Sequence, residues 1–166
     1  YDYGDGVTDQ ADHTGTNSVS VKYALTGETL WAKVTTGGGA ASEFNIIDMS
    51  PTGEIYAAGY QTGSGTFNYG TRSAAGNNAH THGVIVNYNP NGSAYWARVY
   101  SANQADTRFT GLHLENDPWT NEEFVYASAA HGAIVRYSPD GTRKAIGTLS
   151  NNTSVFNDVG RLGPYI

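Results

Sequence analysis

Val84-Ile85-Val86-Asn87-Tyr88-Asn89-Pro90-Asn91-Gly92-Ser93-Ala94-Tyr95-Trp96-Ala97-Arg98-Val99 is a β-hairpin written in one line. Val84, Val86 and Tyr88 alternate with Ile85 and Asn87, the period of two that a strand requires. Asn89-Pro90-Asn91-Gly92 then turns the chain, because proline presets φ at the second turn position and glycine accepts a positive φ at the exit. The return strand, Ala94 to Tyr100, puts Trp96 and Arg98 on one face and Tyr95, Ala97 and Val99 on the other. The same text occurs twice more, as VSVKYALTGETLWAKV from Val19 to Val34 and as AIVRYSPDGTRKAIGT from Ala133 to Thr148. Tyr23, Tyr88 and Tyr137 fall in register, as do Gly27, Gly92 and Gly141; Trp31 matches Trp96, and the third copy carries Ala145 there. An internal repeat of this kind predicts stacked structural units and points away from a single catalytic centre.

Working outward, Phe44 and Phe109 keep the spacing of Tyr23 and Tyr88, and Phe156 falls near the third equivalent place. Phe44 to Met49, the turn Ser50-Pro51-Thr52-Gly53 and Glu54 to Tyr60 make a second hairpin. Phe109 to Leu114 and Phe124 to Ala129 repeat it, with Glu115 to Glu123 as a longer connection. Four antiparallel strands per repeat is the content of a propeller blade. The glycine-rich stretches Thr36 to Ala41 and Gln61 to Ala79 are expected to be linking loops. The fold expected is all-β, with antiparallel four-stranded propeller-like blades in tandem, either as an incomplete propeller or as a sandwich of the same hairpins. An acidic N-terminal segment, 1–16, precedes a β-repeat domain, 17–166, divided into repeats 17–81 and 82–130 and a truncated repeat 131–166. Tyr1-Asp2-Tyr3-Gly4 resembles Phe67-Asn68-Tyr69-Gly70, so the chain is expected to begin where a blade ends and to lack the fourth strand of its third blade.

Composition narrows the partners. At 166 residues the chain is long enough to bury roughly 70% of its unfolded surface. Charged residues are scarce, at 14%, while Gly, Tyr, Asn, Ser and Thr abound, as in turn-rich β proteins. A net charge of −6 argues against a nucleic-acid backbone as partner. No cysteine is present, so neither disulfides nor thiolate metal sites form. No apolar run approaches the length of a membrane span. The first residue is Tyr1, as in a mature or excised form.

These residues resemble the bacterial secreted β-propeller repeat, the SBBP repeat. The match lies in Lys22-Tyr23, Leu30-Trp31-Ala32-Lys33, Gly37-Gly38-Gly39 and Ile55-Tyr56-Ala57-Ala58-Gly59, with Phe67-Asn68-Tyr69-Gly70 as the blade-end segment. It is strong in the first two copies and weak in the third. The resemblance implies a secreted scaffold or binding protein and carries over no catalytic residues.

The candidates for chemistry are few. Asn17, His82 and His131 precede the first strand of each repeat, where a short polar group caps a turn. His80 and His82 stand two apart in an extended segment, as a zinc site would require. Asp2, Asp5, Asp9 and Asp12 in a glycine-containing stretch are the oxygen donors calcium prefers, though not in EF-hand order. Trp31 and Trp96 are expected in the core. Trp119 breaks the repeat and is the candidate for a ligand or partner contact, with Tyr1, Tyr3 and Tyr165 at the ends. Asn91, Asn151 and Asn152 lie in glycosylation sequons. No nucleophile elbow, phosphate loop or zinc-protease motif occurs. The expected function is an extracellular, non-enzymatic, self-assembling structural protein, a homo-oligomer or filament without a resident cofactor. In it Tyr1 to Gly6 would supply the missing strand of a neighbour's third blade. The alternatives are a glycan- or protein-binding module and a fragment of a propeller enzyme.

Overall fold

The computed structural model describes residues 1–12, 14–101, 106–117, 120–130 and 132–148. The fold is all-β, with antiparallel sheets and no helix among the described residues. Thirteen strands are described: β1 (Val19–Tyr23), β2 (Thr29–Val34), β3 (Thr36–Gly37), β4 (Ser42–Met49), β5 (Ile55–Thr62), β6 (Thr66–Asn68), β7 (Ser73–Ala75), β8 (Thr81–Tyr88), β9 (Ala94–Tyr100), β10 (Phe109–Asn116), β11 (Glu123–Ala129), β12 (Ala133–Tyr137) and β13 (Arg143–Thr148). The β8–β9 hairpin of the opening stretch is present, and its turn closes with Gly92 N–H donating to the Asn89 carbonyl at 2.8 Å. The turns at Gly27, Gly53 and Gly141 close in the same way.

The sheets are out of phase with the sequence repeat. Four strands of one repeat were expected to share a sheet, but β1 and β2 form a two-stranded sheet alone. The second sheet runs β4-β5-β8-β9, joining the second hairpin of repeat one to the first hairpin of repeat two. The third runs β10-β11-β12-β13 by the same rule. The third sheet therefore has four strands and the first has two among the described residues; the end of the third repeat, where a strand was expected to be missing, lies outside them. The reason is pairing. Ala57 and Ala58 of β5 oppose Val86 and Ile85 of β8, and this ladder extends from Ile55↔Tyr88 to Thr62↔Thr81. A second difference concerns the glycine-rich stretches expected as loops, which contribute a small sheet of order β3-β6-β7.

Sheets stack in chain order. Between the second and third lies a core of Tyr56, Ile85, Trp96, Leu112, Val125 and Tyr137. Between the first and second lies another, of Trp31, Ile55, Phe67, Tyr69, Val86 and Tyr88. Strand β8 is buried on both faces, which accounts for the consecutive apolar residues Val84, Ile85 and Val86.

The two junctions share one device. Trp31 of β2 packs its ring against Tyr88 at 5.8 Å, and its indole N–H donates to the Pro90 carbonyl at 3.1 Å. Trp96 of β9 stands 5.8 Å from Tyr137 and donates to the Pro139 carbonyl at 2.7 Å. A buried indole needs such an acceptor, and the turn of the next hairpin supplies it. Glycine is required beneath each ring: Gly92 and Gly141 have φ of 84° and 76°, and a Cβ there would come within 2.8 Å of Trp31 and 2.6 Å of Trp96.

Candidate functional site: the open half-sheet

Offset by 65 residues, β1 and β2 stand where β8 and β9 stand in the second sheet. Among the described residues their sheet has no counterparts of β4 and β5, and only β2 pairs with β1. Thr35 N–H donates to the Ser18 carbonyl at 2.9 Å, so the Ser18 carbonyl and the backbone groups of Ser20 face β2. By the same alternation Val19 and Val21 point theirs out at the free edge.

Side chains around that edge are uncovered, whereas their counterparts are not. Tyr23 is 55% exposed, against 1% for Tyr88. Ile47 is 59% exposed, against 8% for Leu112, which holds the same place in β10. Val19 and Met49 are exposed as well, and Leu25 stands clear of the protein at the turn place that Pro90 and Pro139 hold. Val19, Val21, Phe44, Ile46, Ile47 and Ala57 line a groove along the edge. It adjoins a wide, open cleft of about 910 Å³ lined by Tyr1, Tyr3, Gln10, Asn17, Val19 and Val34. Burial, reinforced by the Asp9 charge, raises the Tyr3 hydroxyl above the usual phenol value.

The N-terminal segment lies on its own chain. Asp5 accepts from Thr29 N–H at 2.7 Å, Asp9 from Val34 N–H at 2.8 Å and Asp12 from Gly37 N–H at 2.9 Å. Thr29 Oγ1 donates to the Tyr3 carbonyl at 2.7 Å, and Asp2 pairs with Thr8 in an isolated bridge. Three carboxylates thus satisfy outward-facing N–H groups along β2 and β3, which blunts that edge. Tyr1 to Gly6, expected as a strand for a neighbour, is occupied in this way within the chain.

The sequence candidates are dispersed. Asp2 accepts from Gly4 N–H, and the other three aspartates meet separate backbone groups. His80 Nδ1 lies 3.5 Å from Asp106, whereas His82 is buried, with Nδ1 at 2.8 Å from Ser101 Oγ and Nε2 at 3.3 Å from the Asn78 carbonyl. Asp106 is held below the usual carboxylate value, chiefly by Thr81 N–H. Among the described residues no three His, Asp or Glu side chains gather as a metal site. Asn17 donates to the Gly15 carbonyl. Asn91 is exposed at a hairpin tip, its Oδ1 accepting from Ser93 N–H and Oγ. Trp119, His131, Asn151, Asn152, Phe156 and Tyr165 lie outside the described residues.

Elsewhere the titratable groups serve the scaffold. Asp140 is pulled down to about 2 by the Ser138 hydroxyl and by Thr142 N–H in its turn. Burial lifts the Glu123 carboxyl, the Glu54 charge adds to the shift, and the Tyr56 hydroxyl at 3.5 Å opposes it. No helix among the described residues is long and apolar enough to cross a membrane. No protein-family model matches the chain, and neither does any curated protein. The residues that sequence reasoning missed are Val19, Tyr23, Leu25, Ile47 and Met49. A signal existed for one of them, since Leu25 replaces the turn proline in the copy with no tryptophan ahead of it.

Proposed function

We propose that the protein is an extracellular, non-enzymatic structural subunit that assembles through β-strand edges, its sheets being propeller-like blades set in a row. The observation that carries this reading is the free edge of β1, with Tyr23 and Ile47 uncovered beside it where the filled sheets bury the equivalent residues. A row of unpaired backbone groups flanked by apolar side chains is a template for another strand. The polar groups support a structural role: Asp5, Asp9 and Asp12 hold backbone N–H groups, and the buried hydroxyls of Ser18, Thr35 and Ser42 bond to one another. Low charge with abundant Thr, Asn, Gly and Tyr supports an extracellular location.

The test is sedimentation of the purified chain over a concentration series, alone and with Val21→Pro. Proline at that place removes an outward N–H and leaves the β1–β2 ladder intact. Association by the parent chain and its loss in the variant are expected. Equal association by both would sink the edge reading.

A further inference from the structure

We infer that the junction between the second and third sheets binds a compact monovalent cation, an alkali-metal or ammonium ion, at Asn87, Tyr56 and Glu123. The site stands apart from the β1 edge, and the inference does not depend on assembly.

The first junction shows what the place takes. Lys22, Asn87 and Arg136 are equivalent, each one residue before the tyrosine that closes its strand. Lys22 is the cross-strand partner of Trp31, and Asn87 of Trp96. From that position the Lys22 ammonium reaches over to the next sheet, 3.4 Å from the Pro90 carbonyl and 3.5 Å from that of Gly53. The Pro90 carbonyl thus receives both Trp31 and Lys22, which uses its two lone pairs. At the second junction Trp96 donates to Pro139 as Trp31 does to Pro90, but an asparagine replaces the lysine. Among the described residues Trp96 alone donates to the Pro139 carbonyl.

Asn87 is fully buried, and neither its Oδ1 nor its Nδ2 has a partner at hydrogen-bonding geometry. Native proteins satisfy nearly all such groups, with water or an ion where no protein group serves. The amide lies beside the Tyr56 hydroxyl, its cross-strand neighbour; burial raises that phenol, and the amide offsets part of the rise. The hydroxyl stands 3.5 Å from Glu123 Oε1. The amide is therefore aimed into an acidic corner. Asp48, cross-strand from Tyr56, shares its face. Burial raises the Glu123 carboxyl first, and the charges that add to the rise are those of Glu54 and Asp48, both negative. Arg98 reaches the neighbouring turn but donates to the Gly141 carbonyl at 2.7 Å.

The donors select the ligand. Tyr56 and Asn87 offer neutral oxygens, and Glu123 offers one carboxylate beside them. That set suits a single positive charge. A divalent ion prefers several carboxylates, and among the described residues no three acidic or histidine side chains gather as a metal site. An ammonium ion reproduces what Lys22 brings to the first junction; potassium brings the charge without the hydrogen-bond donors.

Thermal unfolding of the purified chain in potassium, ammonium and tetramethylammonium chlorides at one ionic strength tests this. Potassium or ammonium is expected to raise the midpoint above the tetramethylammonium value, by about 3 °C at roughly ten times its dissociation constant. The larger of the two responses identifies the ion. Glu123→Gln should match or exceed the parent in tetramethylammonium and show no response to the smaller ions. Asn87→Lys carries its own ammonium, so it should hold a raised midpoint in every salt and lose the response as well. If Asn87→Lys fails to fold, Glu123→Gln decides alone. Equal parent midpoints in all of these salts overturn the proposal, as does a response of the same size in Glu123→Gln. A response to calcium at a concentration lower by about a hundredfold than that needed for potassium overturns the monovalent assignment.

Discussion

Tyr23 and Tyr88 close equivalent strands of hairpins 65 residues apart, and the flanking sequences match closely; yet one side chain is half in water and the other is sealed. What differs is the neighbour. Tyr88 has Trp31 of the preceding sheet against its ring, and the following turn accepts that indole's hydrogen bond. Tyr23 has no preceding sheet among the described residues. Burial at this place is thus conferred by the unit before, and a hairpin of this type is finished only when another stands in front of it.

The sharpest way to break that comparison is Trp96→Ala. It removes a ring that touches both Tyr56 and Tyr137, and should destabilise by about 4 kcal/mol in urea unfolding. Trp31→Ala, with one ring partner, should cost about 1 kcal/mol less. Next, Tyr88→Ala should cost about 3 kcal/mol and Tyr23→Ala within about 0.5. Equal losses would mean that Tyr23 is covered in solution. Third, Gly141→Ala combines a left-handed φ with a Cβ pressed into Trp96, for about 2–3 kcal/mol. Gly27→Ala shares the φ, at 89°, and meets nothing, for about 1 kcal/mol. Comparable midpoints for the two would show that no indole presses on the turn.

Smaller effects probe the polar groups. Asp9→Ala should cost about 1 kcal/mol by leaving the Val34 N–H without its carboxylate, and amide exchange at Val34 should quicken. Glu123 gives the least. Its folded value lies above the ordinary 4.5, so the fold favours the protonated form. Its contribution is full below that ordinary value and is lost as pH rises through the folded one. Glu123→Gln should flatten that slope and raise the unfolding midpoint at neutral pH; an unchanged pH profile would place the carboxyl in water.

The hairpins were legible because their signals are local: alternation, a glycine at each short turn with a proline before it in three of them, and the matched Trp31 and Trp96. The grouping of hairpins into sheets was not. β5 offers the same small-residue run, Ala57-Ala58-Gly59, whether β2 or β8 is its neighbour, and the choice depends on contacts between distant parts of the chain. Asp5, Asp9 and Asp12 looked like a ligand set for calcium because the N–H groups they hold lie 24 or 25 residues away. The open edge was half legible. Leu25 in place of a proline marks the turn onto which neither described indole is folded, but the exposure of Ile47 follows only from which strands are present beside it.

The half-step between repeat and sheet bears on how such a chain changes length. Each four-stranded sheet takes its inner hairpin from one repeat and its outer hairpin from the next. Removal of one repeat's worth of gene, joining Tyr23 to Asn89, would rejoin a strand to an equivalent turn. Trp96 would then follow β1 as Trp31 does now, and would face the turn at Gly141 as before. No junction of a new kind arises. Recombination can therefore lengthen or shorten the row in whole sheets, each new neighbour meeting the same tryptophan and the same turn.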